Sequence, residues 1–341
     1  MIDYKSIRSV HLEISTRCNA ACPLCPRNTA GYDEDLAYPV HSMTLEEAKR
    51  IFVPKFLRQL DKILINGNFG DFVTAQDNVK ILQYFYICNP DLRVSISTNA
   101  STKSKIWTEL AKFPNLEVGF DIDGLEDTHK LYRKNTDWNT VLTNAKTFIG
   151  AGGHAVWRMI RFDHNQHQID ACRQLSKELA FKRFDLLEDG RTDGPVYDRH
   201  GNYSYKIGND PNFVDVEYPK DAKTWREWTL ISERPENRIE FYKKADIKQS
   251  VSCYAKQNKE IYITATGEVY PCCWLGFYPK LEFQHPWQRD NMFLKDMALN
   301  NNALDVSIEQ AIAWFNSVEE SWNKKAYHEG RLFKCDEQCG H

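Results

Sequence analysis

Short apolar runs recur along the first half of the chain, and each is followed by a stretch of helical period. Val10–Ile14, Lys62–Ile65, Leu92–Ile96, Leu116–Phe120, His154–Phe162 and Lys182–Leu187 read as strands. The intervening segments read as helices. Thr44-Leu-Glu-Glu47 is a capping-box pattern that opens a helix towards Leu60, which Pro54 splits or kinks. Asn78–Cys88, Lys103–Phe113, Trp138–Ile149 and Gln166–Leu179 follow the same period, and glycines at 150, 152 and 153 close the third of these. Six strand–helix units in this order predict a parallel sheet with right-handed crossovers. A closed barrel needs eight units, so a partial, six-stranded (β/α)6 barrel is the expected α/β fold.

The pattern changes after residue 190. Residues 191–250 are rich in Gly, Asp, Asn, Pro and Tyr, and read as an insert or bridge. Beyond it, Ile261–Thr264 and Val269–Pro271 flank Thr266-Gly267 and predict a small hairpin. Three regions are therefore expected: 1–190, 191–250 and a small C-terminal α+β domain over 251–341.

Composition narrows the function. The 341 residues are 42% hydrophobic and 27% charged, as in an ordinary globular chain, and the formal charge of −3 offers no basic face for nucleic acid. No apolar run is long enough to span a bilayer, and Met1–Lys5 does not resemble a secretory signal. Ten cysteines without such a signal point to metal ligation in a reducing cytoplasm.

The cysteines are not scattered. Cys18, Cys22 and Cys25 lie within eight residues, directly after the first strand, and Pro23 and Pro26 keep their loop out of helix. Three thiolates without a fourth suit an iron–sulfur cluster that keeps one iron open to a ligand. The competing chemistry is a zinc knuckle, for which a distant residue such as His41 would complete four ligands. A second set lies far along the chain: Cys253, Cys272 and the pair Cys335 and Cys339. Four thiolates fill a [4Fe-4S] or [2Fe-2S] cluster, or a structural zinc site.

The Cys18-x3-Cys22-x2-Cys25 spacing resembles that of radical S-adenosylmethionine (SAM) enzymes, in which Leu24 fills a bulky apolar position. That resemblance implies a [4Fe-4S] cluster with one open iron that binds SAM. It also implies an electron donor of flavodoxin or ferredoxin type, and a 5′-deoxyadenosyl radical that abstracts hydrogen from a substrate. The strand endings resemble the family's SAM contacts. Asn68, Gly70 and Asp71 stand at the turn after the second strand, with Phe72 where proline is common. Ser97 and Asn99 end the third strand, with Ala100 in place of the usual glycine. Asp121 and Asp123, with His129 and Arg133, follow the fourth, and Arg161 ends the fifth, where a guanidinium suits the SAM carboxylate. Cys253-x13-Gly267-x4-Cys272 resembles the opening of the SPASM/twitch auxiliary-cluster domain, and the lack of an intervening Cys-x-x-Cys favours the one-cluster form.

A fully ligated second cluster implies an electron acceptor and hence oxidative chemistry. The expected substrate is a peptide or protein side chain. A sugar- or cyclitol-like small molecule is the alternative, favoured by the short segment before the first strand, which leaves no room for a leader-binding domain. A non-catalytic zinc-binding interaction protein is the third reading. Asp123 and Cys273 are the candidate catalytic side chains. The bland alternatives are a turn for Asp123 and a packed thiol for Cys273, and Cys88 and Cys172 read as small buried hydrophobes. His164 and His167, three apart, read as helix-start polar residues or as a proton relay.

Overall fold

A computed structural model describes residues 2–23, 25, 27, 40–103, 105–188, 194–197, 203–207, 247–277 and 291–341. Leu24 and most of the 191–250 region lie outside these residues. Six parallel strands carry the first half: β1 (Ser9–Leu12), β2 (Lys62–Ile65), β3 (Arg93–Thr98), β4 (Leu116–Asp121), β5 (His154–Ile160) and β6 (Arg183–Leu187). They pair in chain order, as short crossovers through helices require. The helices are α1 (Leu45–Ile51), α2 (Pro54–Gln59), α3 (Asn78–Cys88), α4 (Ile106–Leu110), α5 (Glu126–Tyr132), α6 (Trp138–Gly150) and α7 (Ile169–Glu178). The fold is thus an α/β arrangement on a mostly parallel sheet.

Local chemistry accounts for the element ends. Thr44 and Glu47 form the capping box in both directions. Pro54 does not kink one helix; it starts α2, because a residue without an N–H fits the first helical turn. α6 stops at Gly150, and Gly152 follows at φ +92°. The sheet core is aromatic and aliphatic. Trp107 packs on Phe120 and Phe148, and Phe52 on Phe56 and Phe85, all fully buried. Each such side chain contributes about 1.5–3 kcal/mol by burial.

The C-terminal hairpin does not stand apart. β9 (Glu260–Ile263) pairs with β10 (Val269–Tyr270) and also runs parallel to β1, with Ser9 opposite Glu260 and Leu12 opposite Ile263. Among the described residues the sheet therefore has eight strands, in the order β10-β9-β1-β2-β3-β4-β5-β6. Long-range pairing of this kind leaves no mark in a local pattern, so the hairpin was legible and its attachment was not. In the 191–250 region the described residues form a separate antiparallel pair, β7 (Gly194–Tyr197) with β8 (Tyr203–Ile207).

Candidate active site

The carboxyl ends of β1–β5 converge, as expected for ligand sites on parallel strands. β1 delivers the chain into the cysteine loop. Cys18, Cys22 and Cys25 pack together in one apolar cluster with Ala20, Tyr132, Ile160 and Phe162, and Val196 and Ile207 of the β7–β8 pair complete it. Cys25 N–H donates to the Cys22 carbonyl at 3.0 Å, which folds the loop back on itself. Among the described residues no three His, Cys, Asp or Glu side chains stand close enough to hold one metal ion. A cubane cluster takes one thiolate per iron, and so accepts a wider spread of thiols than a single ion does. Burial, then the Asp71 carboxylate, then the Cys22 and Cys25 thiols push the Cys18 thiol well above its ordinary pKa. A cation bound among these thiolates removes that penalty, so the donor set fits a cluster.

The turn after β2 lies directly against this loop. A Cβ on Gly70 would stand 1.8 Å from the Ser15 carbonyl oxygen, so only glycine allows the two backbones to approach. We expect Gly70→Ala to cost at least about 2 kcal/mol through overpacking, measured by urea unfolding. Asp71 N–H donates to the Arg17 carbonyl at 2.8 Å. Arg27, two residues past the last loop cysteine, donates to the carbonyls of Thr16 and Phe69 and ties the loop to the same turn.

Asp71 is buried and joins the ends of β2 and β3. Its carboxylate accepts from Thr98 Oγ1 (2.6 Å), from Asn99 N (2.8 Å) and Nδ2 (2.8 Å), and from Val73 N (3.0 Å). Burial pushes its pKa up, against these bonds. The carboxylate that sequence reasoning aimed at an ammonium group is thus engaged within the protein. Asn99 is the residue that reaches the thiols, with Nδ2 at 3.5 Å from Cys18 Sγ. Ala100 has φ +51°, the left-handed backbone that glycine favours.

Charged groups line the ends of β3–β5. Arg158 on β5 donates to Ser97 Oγ and has Nε at 4.0 Å from Asp121 Oδ1. Gly119 on β4 makes this possible, because a Cβ there would meet the Arg158 side chain at 2.4 Å. Asp123 is completely buried. It accepts from Arg133 Nε and from Ile160 N, both at 2.6 Å, and Arg133 also stands 3.7 Å from Asp121. Its backbone N–H donates to His129 Nδ1, whose pKa burial and Arg133 lower to about 3. His129 and Arg133 are therefore interior partners of Asp123. Arg161, by contrast, is half exposed and paired with Glu188 at 2.8 Å. The register explains the contrast, since Arg158 lies opposite Asp121 in the β4–β5 pairing, whereas Arg161 lies past the end of β5. That register is the signal that sequence reasoning missed.

The second cysteine set converges from three distant segments. Cys253, Cys272, Cys335 and Cys339 line one cavity with Pro271, Trp274, Leu275, Trp322 and Lys334. Burial comes first among the causes that raise the Cys272 thiol well above its ordinary pKa; Cys273, Cys335 and Cys253 add to it. Four thiols around one apolar cavity suit a fully ligated cluster, which accepts a wider spread of thiols than the single zinc ion they stand too far apart to hold. Cys273 lies beside this set, and its carbonyl accepts from Asn68 Nδ2 at 2.9 Å. Asn68 thus bridges the β2 turn and the second cysteine set.

Among the described residues no helix is long and apolar enough to cross a membrane. No family model and no curated protein matches the chain. Solved structures do match. SuiB from Streptococcus suis bound to S-adenosylmethionine superposes with a TM-score of 0.53 at 15% identity, covering 98% of this chain and 71% of SuiB. SuiB bound to its precursor peptide SuiA gives 0.52 at 15%, over 96% and 67%. Native anSMEcpe with bound AdoMet and the Cp18Cys peptide gives 0.55 at 15%, over 93% and 84%. Across nearly its whole length, then, the chain has the fold of these structures.

Proposed function

We propose that the protein is a radical SAM enzyme with a C-terminal auxiliary iron–sulfur site of twitch type, acting oxidatively on a peptide or protein side chain. The observation that carries this reading is the gathering of Cys18, Cys22 and Cys25 in one apolar cluster, at the strand ends where the AdoMet-bound neighbours have the same fold. When bound, a cluster on Cys18, Cys22 and Cys25 would pass an electron from an external donor to SAM, cleaving it to methionine and a 5′-deoxyadenosyl radical able to take a hydrogen atom from the substrate.

The chain's own groups do the rest. The apolar wall of Tyr132, Ile160 and Phe162 excludes water around the thiolates. Asn99 donates towards Cys18 and withdraws charge from it. The Asn66–Asp71 turn presents backbone to the SAM amino group, and Asp71 holds that turn against β3. Arg158, with Ser97 and Asp121 beside it, takes the carboxylate role that Arg161 was expected to fill. Arg158→Ala should therefore raise the SAM concentration needed for half-maximal rate by about tenfold or more, the cost of one charge-assisted bond. Arg161→Ala should leave it unchanged; equal effects would return the role to Arg161. At the second site, Cys253, Cys272, Cys335 and Cys339 would hold an auxiliary cluster, which would supply an acceptor for the electron that the substrate radical gives up on oxidation. The peptide class is supported by the peptides held in the SuiB and anSMEcpe structures.

The test is anaerobic reconstitution followed by iron, zinc and sulfide analysis. The proposed enzyme binds iron and sulfide at two sites and releases 5′-deoxyadenosine from SAM under dithionite. Zinc without sulfide at both thiol sets would instead identify a zinc-binding interaction protein.

A further inference from the structure

We propose that Glu13 and Tyr262 are positioning residues that couple the C-terminal thiol cavity to the 66–71 turn, and through it to SAM binding. The inference rests on the function proposed above. Glu13 is almost fully buried, and sequence reasoning passed over it as a strand residue. Its Oε1 accepts the backbone N–H of Phe69 at 2.7 Å and of Gly70 at 2.9 Å. Its Oε2 accepts Tyr262 Oη–H at 3.2 Å, and Tyr262 lies in the middle of β9. One carboxylate thus fastens the turn to the hairpin.

The other end of the linkage is equally direct. A Cβ on Gly276 would stand 2.3 Å from the Tyr262 ring, so the helix Cys273–Phe277 rests on that ring without a gap. That helix begins immediately after Cys272, a lining residue of the thiol cavity. Two further contacts run in parallel. Asn68 Nδ2 donates to the Cys273 carbonyl at 2.9 Å. His11 Nε2 donates to the Asn66 carbonyl at 2.6 Å, and its ring meets Tyr262 edge-on at a centroid distance of 5.0 Å. The contacts at Asn66, Asn68, Phe69 and Gly70 all lead to Tyr262 or Cys273. A close-packed interior transmits a shift in the helix rather than absorbing it. Three donors converge on its two buried oxygens, and hydrogen bonds are stronger in a low-dielectric interior, so the side chain is a stiff link. Such a coupling is reciprocal, and SAM at the turn must also steady the hairpin.

The experiment combines amide hydrogen exchange with equilibrium dialysis of SAM, on the full chain reconstituted with iron and sulfide. Tyr262→Phe removes one O–H and keeps the ring, so packing against Gly276 persists. It should speed exchange at Phe69 and Gly70 and raise the SAM Kd, each by about three- to tenfold. Glu13→Ala should exceed this. Glu13→Gln should restore both readouts to near wild type, because its amide oxygen still accepts from the two N–H groups and its NH2 can donate to Tyr262 Oη. In wild type, SAM should slow exchange across β9. Unchanged exchange at Phe69 and Gly70 in Tyr262→Phe overturns the coupling. So does faster exchange with an unaltered SAM Kd. Failure of the wild-type protein itself to bind SAM would instead sink the proposed function.

Discussion

Replacing Cys18, Cys22 or Cys25 by alanine is expected to abolish 5′-deoxyadenosine release from SAM while leaving the sheet folded. The three thiols lie beyond the end of β1, in a loop held by other bonds: Arg27 to Thr16 and Phe69, and Ala21 N–H to the Lys134 carbonyl at 2.9 Å. Removing one sulfur from this loop deletes little buried area, and the stability cost should stay near 1 kcal/mol. If the loop holds the proposed cluster, the chemical cost is total, because two thiolates leave a further iron without its protein ligand. Deoxyadenosine measured by chromatography under dithionite, beside far-ultraviolet circular dichroism, separates the two effects. Continued release from any of the three variants would remove the loop from the catalytic site.

The second large effect is expected at Arg331. Two cysteines of the second set, Cys335 and Cys339, ride on the last helix, Phe333–Cys339, and Asp336 lies between them. Arg331 holds Asp336 bidentately, with Nε at 2.7 Å from Oδ2 and Nη2 at 2.8 Å from Oδ1. Tyr327 Oη donates to the same carboxylate at 2.9 Å. Arg331 also donates to the carbonyls of Lys248, Lys324 and Trp322, so it draws the chain before Cys253 and the chain before Cys335 to one point. Both charges are almost fully buried. Removing one partner of such a pair strands the other, at a cost of about 3–5 kcal/mol. Arg331→Ala should therefore destabilise the C-terminal segment by that amount in urea unfolding and lower iron bound at the second site. Arg331→Lys keeps the charge but loses the fork, and should fall between the two. If Arg331→Ala binds as much iron as wild type, the clamp does not hold the thiols in place.

These expectations separate two kinds of information. The strand–helix order, the capping box at Thr44 and the thiol spacing at Cys18–Cys25 are local patterns with periods of two to four residues. Sequence carries such patterns directly, because each depends on neighbours a few positions away. The parallel sheet follows from them, since strands separated by helices have few ways to pair. The left-handed backbone at Ala100 also shows in sequence, as a departure from an expected glycine.

What sequence did not carry was contact at long range. The grouping of Cys253, Cys272, Cys335 and Cys339 was expected, yet no local pattern shows the cavity around which folding brings them. Arg161 and Arg158 differ by three positions, yet the β4–β5 register puts Arg158 beside Asp121, while Arg161 lies past the end of β5 and pairs with Glu188. Asp71 reads as an open carboxylate in a turn, yet Thr98 and Asn99 from the next strand occupy it. Glu13 reads as an ordinary alternating strand residue until β9 lies beside β1 and brings Tyr262 to it. In each case a hydrogen bond or an ion pair needs atoms within about 3–4 Å. Periodicity says which face a residue occupies; the paired strands and close-packed helices determine who stands opposite.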